Sequence, residues 1–162
     1  MTPMTAAELY AAKGITGGLL AFTQALLFMA LVGGLQTSGG IILVALVLGA
    51  FLSGGLGFLI GAIAKDFLSV LYTGILILVA LFLPAVAVLT PGMASGWVKL
   101  IPSFYLVDTV SRASNYGAGW ADVWRSLGTL AAIDAVLIAF GIFFRKPLFG
   151  KFIYHVSKLV VI

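Results

Sequence analysis

Residues 14–64 read GITGGLLAFTQALLFMALVGGLQTSGGIILVALVLGAFLSGGLGFLIGAIA and carry no charged side chain. A helix crosses the hydrocarbon core of a bilayer in about 20 apolar residues, so this one stretch holds two crossings. Its polar break is Gln36-Thr37-Ser38-Gly39-Gly40, a cluster of turn formers. Spans are therefore expected at 15–35 and 41–63. The next charge-free stretch lies between Asp66 and Lys99 and places a third span at 67–89. A fourth runs over 126–144, with Asp134 inside it. Four crossings bring both termini to one side.

Composition points the same way. Soluble domains average about 25% charged residues, whereas this chain of 162 residues has 9% charged and 62% hydrophobic ones. It cannot cover a soluble surface. The expected fold class is all-α, an integral membrane helical bundle of four transmembrane helices. The absence of Cys removes disulfides, thiolate metal sites and thiol catalysis together. A single histidine, His155, rules out a His-pair metal site or a two-His relay. No metal and no cofactor is expected. A net charge of +4 is too small and too dispersed to suggest nucleic acid.

The basic residues set the orientation. Lys13, Lys65, Arg145, Lys146, Lys151 and Lys158 fall on the side of the termini, while Lys99, Arg112 and Arg125 fall opposite in one connection. The excess puts both termini in the cytoplasm and the 90–125 segment outside, in a multi-pass protein of the cell (cytoplasmic) membrane. Residues 1–35 do not fit a cleaved signal peptide, because Glu8 accompanies Lys13 and the apolar run that follows exceeds an h-region.

Glycine is abundant, at 20 residues. Gly14 with Gly18 and Gly57 with Gly61 both fit G-x-x-x-G, which lets helix backbones approach closely in lipid. The pattern serves either packing within the chain or a subunit interface.

Three segments are not plain spans. Thr5-Ala6-Ala7-Glu8 reads as a capping box that starts a short helix to Lys13, either a lead-in to the first span or a cytoplasmic docking element. The segment 90–125 is too apolar for a free loop, with Trp97, Val98, Leu100, Ile101, Phe104, Tyr105, Leu106, Val107 and Val110 among Lys99, Asp108 and Arg112. Pro91 and Pro102 interrupt any single helix there. One or two short helices in the outer interface, or dipping into it, are expected, with Tyr116, Trp120 and Trp124 as an aromatic belt. Asp108 and Arg112 are spaced i, i+4 for an ion pair. Beyond Phe144, Arg145-Lys146-Pro147 reads as a stop signal with a helix break. The tail then places Lys151, His155 and Lys158 on one helical face and Phe152, Val156, Leu159 and Val160 on another, as in a helix lying on an anionic membrane surface.

Of the five acids, only Asp134 lies at membrane depth. A charge there costs about 2.5–3.5 kcal/mol on insertion scales, so it should face the bundle. It serves either structural hydrogen bonding, to a partner such as Gln24 or Thr73, or substrate or proton handling. No nucleotide motif exists in the chain, so any ATP is hydrolysed by another chain.

Five stretches carry a family likeness, in order along the chain. The first is Thr2-Pro3-Met4-Thr5-Ala6-Ala7-Glu8-Leu9 through Lys13-Gly14. The second is Gly57-Phe58-Leu59-Ile60-Gly61-Ala62-Ile63-Ala64-Lys65. The third is Pro91, Trp97 and then Ile101-Pro102-Ser103-Phe104-Tyr105 through Arg112. Trp120-Ala121-Asp122-Val123 and Phe143-Phe144-Arg145-Lys146 complete the set. With them the sequence resembles the permease subunit of type-2 ATP-binding-cassette exporters over roughly residues 2–147. The first stretch looks like that family's TP-x-S-x-x-E-L-x-x-x-K segment, and the third like its P…W…P-x-x-Y…R signature. Family permeases carry further spans ahead of the first stretch, so the likeness is to their C-terminal two-thirds.

The resemblance implies that residues 3–13 form the coupling helix that docks on a cytosolic ATP-binding subunit, through Pro3, Thr5, Glu8, Leu9 and Tyr10. It implies external re-entrant helices in 90–125, with Pro91, Trp97, Pro102, Tyr105, Asp108 and Arg112. It implies two permease chains, alike or different, working with two ATP-binding subunits in membrane lipid to move a lipid, glycan, drug or peptide outward. The chain itself is then not an enzyme. Residues 1–147 would form the transmembrane permease domain and 148–162 a basic amphipathic cytoplasmic tail. Two other readings stand beside this one. They are a four-span proton-coupled carrier of small molecules using Asp134, with Gln24 nearby, and a non-transporting membrane assembly protein.

Overall fold

The computed structural model describes the backbone of residues 6–63, 66–90 and 96–160, with side chains over 14–61, 66–88 and 96–140. Every regular element there is helical: α1 (Ala6–Leu31), α2 (Leu35–Ile63), α3 (Phe67–Leu89), a 3₁₀ turn (Gly96–Leu100), α4 (Ser103–Asn115) and α5 (Trp120–Val160). Four of them are long and apolar enough to cross a membrane, over Gly14–Leu31, Leu35–Gly61, Phe67–Val88 and Trp120–Phe140. The protein is an all-helical membrane bundle. Outward side chains such as Leu19, Leu27, Phe28, Leu76, Leu78 and Phe82 are exposed apolar groups suited to lipid.

The first turn lies earlier than the polar cluster 36–40. The Gly34 N–H donates to the Met29 carbonyl at 2.9 Å and the Gly33 N–H to the Ala30 carbonyl at 3.2 Å. With Gly33 at φ +72°, this is a Schellman close. A residue without Cβ takes that left-handed conformation at little cost, so Gly33-Gly34 ends α1. The cluster instead bends α2, where Ser38 takes φ −140° and ψ 54°. Its hydroxyls then reach across the bundle. Thr37 Oγ1 donates to the Ser114 carbonyl and Ser38 Oγ to the Ala118 carbonyl, each at 3.3 Å.

In lipid, helices associate through close packing and hydrogen bonds, because lipid tails are as apolar as side chains. α1 and α2 run antiparallel on glycine. A Cβ at Gly18 would lie 3.9 Å from the Ala50 carbonyl oxygen, and one at Gly54 would lie 3.8 Å from that of Gly14. The Gly14–Gly18 motif therefore serves packing within the chain, while Gly57 and Gly61 face open space among the described residues. α5 runs parallel to α2, with Trp120 beside Gly40 at one end and Leu137 beside Gly55 further along. The core gathers Met29 of α1, Ile41, Ile42, Ala45 and Leu46 of α2, Ala113 of α4, and Val123 and Leu127 of α5. α2 is the hub.

α3 starts at Asp66, whose carboxylate accepts the Ser69 N–H at 2.6 Å as an N-cap. It packs chiefly on α4 rather than on α2. At the other end of the chain, α5 continues through Pro147 to Val160, where the sequence reading expects a break. Proline removes one helical N–H donor, and membrane helices tolerate that loss where neighbouring turns hold the geometry.

Candidate functional site

The connection from α3 to α5 folds back into the bundle. Pro102 occupies the N-cap position of α4, and the next residue, Ser103, is 7% exposed. Its hydroxyl donates to the Leu81 carbonyl of α3 at 2.7 Å. That carbonyl lies beside the one that Pro84 leaves without a helical N–H, and Pro84 is itself fully buried. One turn on, Leu106 packs on Gly49 in the middle of α2, where a Cβ would lie 2.9 Å from Leu106 Cδ2. At 1.5 Å per residue, Gly49 stands about 16 Å along α2 from its bend at Ser38. The far end of α4 returns to that bend through the Thr37 and Ser38 hydrogen bonds. α4 therefore spans from the middle of α2 to the bend near its N-terminal end.

A polar knot fastens α4 to α5. Arg112 Nε donates to Asp108 Oδ1 at 2.9 Å, one helical turn apart. Ser126 Oγ of α5 donates to Asp108 Oδ2 at 3.1 Å. The Asp108 side chain is 15% exposed and that of Arg112 53%. One carboxylate thus holds a cation on its own helix and a hydroxyl on the next.

The close of α4 is equally defined. Gly117 sits at φ +61°, and the Tyr116 and Ala118 N–H groups both return to the Arg112 carbonyl at 3.1 Å. α5 then opens with the Gly119 N–H donating to Asp122 Oδ2 at 3.0 Å, half of a capping box. Tyr116, Trp120 and Trp124 are all exposed around this end, and Trp97 is exposed on the 3₁₀ turn before α4. The Arg125 guanidinium lies 5.6 Å from the centroid of the Trp124 ring. Tyr105 is half-buried and meets Phe104 edge-on, with ring centroids 5.6 Å apart.

The residues singled out in the sequence fall into three groups. Pro102, Tyr105, Asp108 and Arg112 lie together on α4, with Trp97 exposed on the 3₁₀ turn before it. Asp134 and Gln24 are not brought together. Asp134 is 4% exposed, and neither of its carboxylate oxygens has a hydrogen-bond partner among the described residues. The expected bond to Gln24 or Thr73 is therefore absent, and Gln24 is exposed on α1. Register explains it. The Gly14–Gly54 and Gly18–Ala50 approaches put Gln24 level with Val44, while Asp134, one turn before Leu137, stands near Leu52. The two are about 12 Å apart along the bundle axis. Pro3, Thr5 and Pro91 lie outside the described residues. Glu8, Leu9 and Tyr10 belong to the α1 backbone, which runs from Ala6 into the span without a break. Ser103, Ser126, Thr37 and Ser38 were missed, because their partners depend on where α4 sits.

A family model described as ABC-2 family transporter protein matches residues 1–143. No curated protein and no solved structure shows a significant match. The match runs through all four long apolar helices and the folded-back connection between α3 and α5. On that footing, the chain belongs to the ABC-2 family of transporter proteins, as a multi-pass membrane component of an ABC transporter.

Proposed function

We propose that the chain is the permease subunit of an ATP-driven exporter that moves a lipid, glycan, drug or peptide outward, with ATP hydrolysed by a separate cytosolic subunit. The observation that carries this reading is the family match over residues 1–143. The work assigned to the chain is passage rather than bond-making. Two permease chains, of one kind or two, pair with two ATP-binding subunits in the cell membrane, with the termini on the cytoplasmic side.

ATP energy reaches this chain through its cytoplasmic surface. Three residues separate α2 from α3, too few for a docking helix, so residues 3–13, ahead of the first span, are the docking element. Pro3 sets their approach, Thr5 and Glu8 cap the helix, and Leu9 with Tyr10 offers apolar side chains to a groove on the ATP-binding subunit. Removing the cap with Thr5→Ala costs about 1 kcal/mol of local helix stability, and Leu9→Glu disrupts docking itself. The test is co-purification of the full chain with a candidate ATP-binding subunit, reading association and ATP turnover. Leu9→Glu is expected to lose both while the chain still inserts. Unchanged association and turnover would remove the docking role from this helix.

A further inference from the structure

α5 buries one face, carrying Val123, Leu127, Leu130 and Asp134. These positions recur at three- and four-residue spacing, so they line one side of the helix. α2 and α4 are the described elements that pack on it. Asp134 stands in the middle of the seam with α2, and both of its carboxylate oxygens lack a hydrogen-bond partner. Among the described residues no charge answers it either. α2 carries no charged residue over Leu35–Ile63. The charges of α4, Asp108 and Arg112, are held by each other and by Ser126, two turns back along α5. Asp122 and Arg125 of α5 lie farther still toward its start.

A carboxyl in this position is costly, because hydrocarbon supplies no donor and no water. The seam around it is nonetheless shut tight. One turn beyond Asp134, a Cβ at Gly55 would lie 3.5 Å from Leu137 Cβ. The flank of α5 beside the seam is small, with Gly128, Ala131, Ala132 and Ala135 all exposed, so no long side chain latches over its edge. Opening such a seam to water would give the acid the partners that the closed packing withholds.

We propose that the α2–α5 seam is a two-state joint, closed in this structure, whose opening brings water to Asp134. Two packings of one helix pair, separated by a modest free energy, are the elements from which transport conformations are built. Asp134 narrows the gap between them by penalising the closed packing. The joint rests on the transport reading only where ATP turnover drives it.

The test uses the absence of native Cys. Gly55→Cys with Leu137→Cys brings two Cβ atoms to about the 3.5–4.5 Å separation of a disulfide. The full chain, in bilayers with and without its ATP-binding subunit, is treated with dicyclohexylcarbodiimide, an apolar reagent that adds to carboxyl groups. The adduct is read by peptide mass spectrometry, with Asp134→Asn as the unlabelled control. Wild type and the reduced double variant are expected to carry the adduct at Asp134. Oxidation is expected to lower it about tenfold or more, by removing the open population, and reductant to restore it. Equal labelling of oxidised and reduced forms overturns the joint, as does a wild type that never labels. Should the double variant fail to insert, wild-type labelling with and without ATP turnover decides. A change supports the joint and equality overturns it. Failure of the ATP-binding subunit to associate counts against the exporter reading and leaves the labelling result in the chain alone standing.

Discussion

Ser126 on α5 donates its hydroxyl to Asp108 on α4 at 3.1 Å, on the carboxylate oxygen that Arg112 leaves free. The bond crosses between two helices that the chain connects only through Tyr116–Gly119, so it fixes how α4 leans on α5. Ser126→Ala removes one interhelical hydrogen bond and should lower stability in detergent by about 0.5–1.5 kcal/mol. Asp108→Ala should cost more, since both Ser126 and Arg112 lose their acceptor. The ion pair itself adds little, because the Arg112 side chain is half exposed. In thermal unfolding, the double variant Asp108→Ala, Ser126→Ala should fall short of the sum of the singles. Full additivity would mean that the two residues act independently.

Ser103 ties the start of α4 to the Leu81 carbonyl. Losing that hydroxyl frees the 3₁₀ turn Gly96–Leu100, which carries the exposed Lys99. Ser103→Ala should cost about 1 kcal/mol and speed trypsin cleavage after Lys99. Ser103→Thr keeps the hydroxyl and should cleave closer to the wild-type rate. Equal rates for wild type and Ser103→Ala would show that this bond does not hold the turn.

At Gly49 the Leu106 side chain of α4 packs close on α2, 2.9 Å from where a Cβ would stand. A single Cβ there presses on the flexible end of Leu106, so Gly49→Ala should be absorbed by a small rotation of that side chain. Gly49→Val should overpack the contact at about 1–3 kcal/mol. Adding Leu106→Ala should recover part of the loss. A double variant less stable than Gly49→Val alone would place the strain elsewhere.

Topology follows from the unequal sharing of Lys and Arg between the two sides. In intact cells, a Cys at Ser95 should react with an impermeant thiol reagent, and a Cys at Ser157 should not. The reverse pattern would invert the orientation and move residues 3–13 away from the cytosol.

The charge map made the four crossings legible, because a run of residues without charge has few places to go but lipid. The Asp108–Arg112 pair was legible for the same local reason, since four residues of helix bring the two side chains together. The turn between α1 and α2 was read too late. Thr37 and Ser38 look like loop residues, yet their hydroxyls serve α4, and the glycine pair before them closes the helix. Asp134 was recognised as the acid at depth, but its lack of a partner depends on helix register, which periodicity does not specify. The roles of Ser103 and Ser126 were hidden because each bonds a residue on another helix.

The dependence of α3 on α4 bears on how the protein is made. α1 and α2 can close on each other as soon as both have left the ribosome, since the approaches of Gly14 to Gly54 and Gly18 to Ala50 involve no later residue. α3 emerges next, ahead of Ser103 and Leu106, the residues that dock α4 against α3 and α2. For that interval it must sit in the bilayer without its main packing partner. A helix with no charge over Phe67–Leu89 is suited to waiting there. α5, translated after α4, then completes the structure, as Ser126 arrives to hold Asp108 and α4 is fixed over its neighbours.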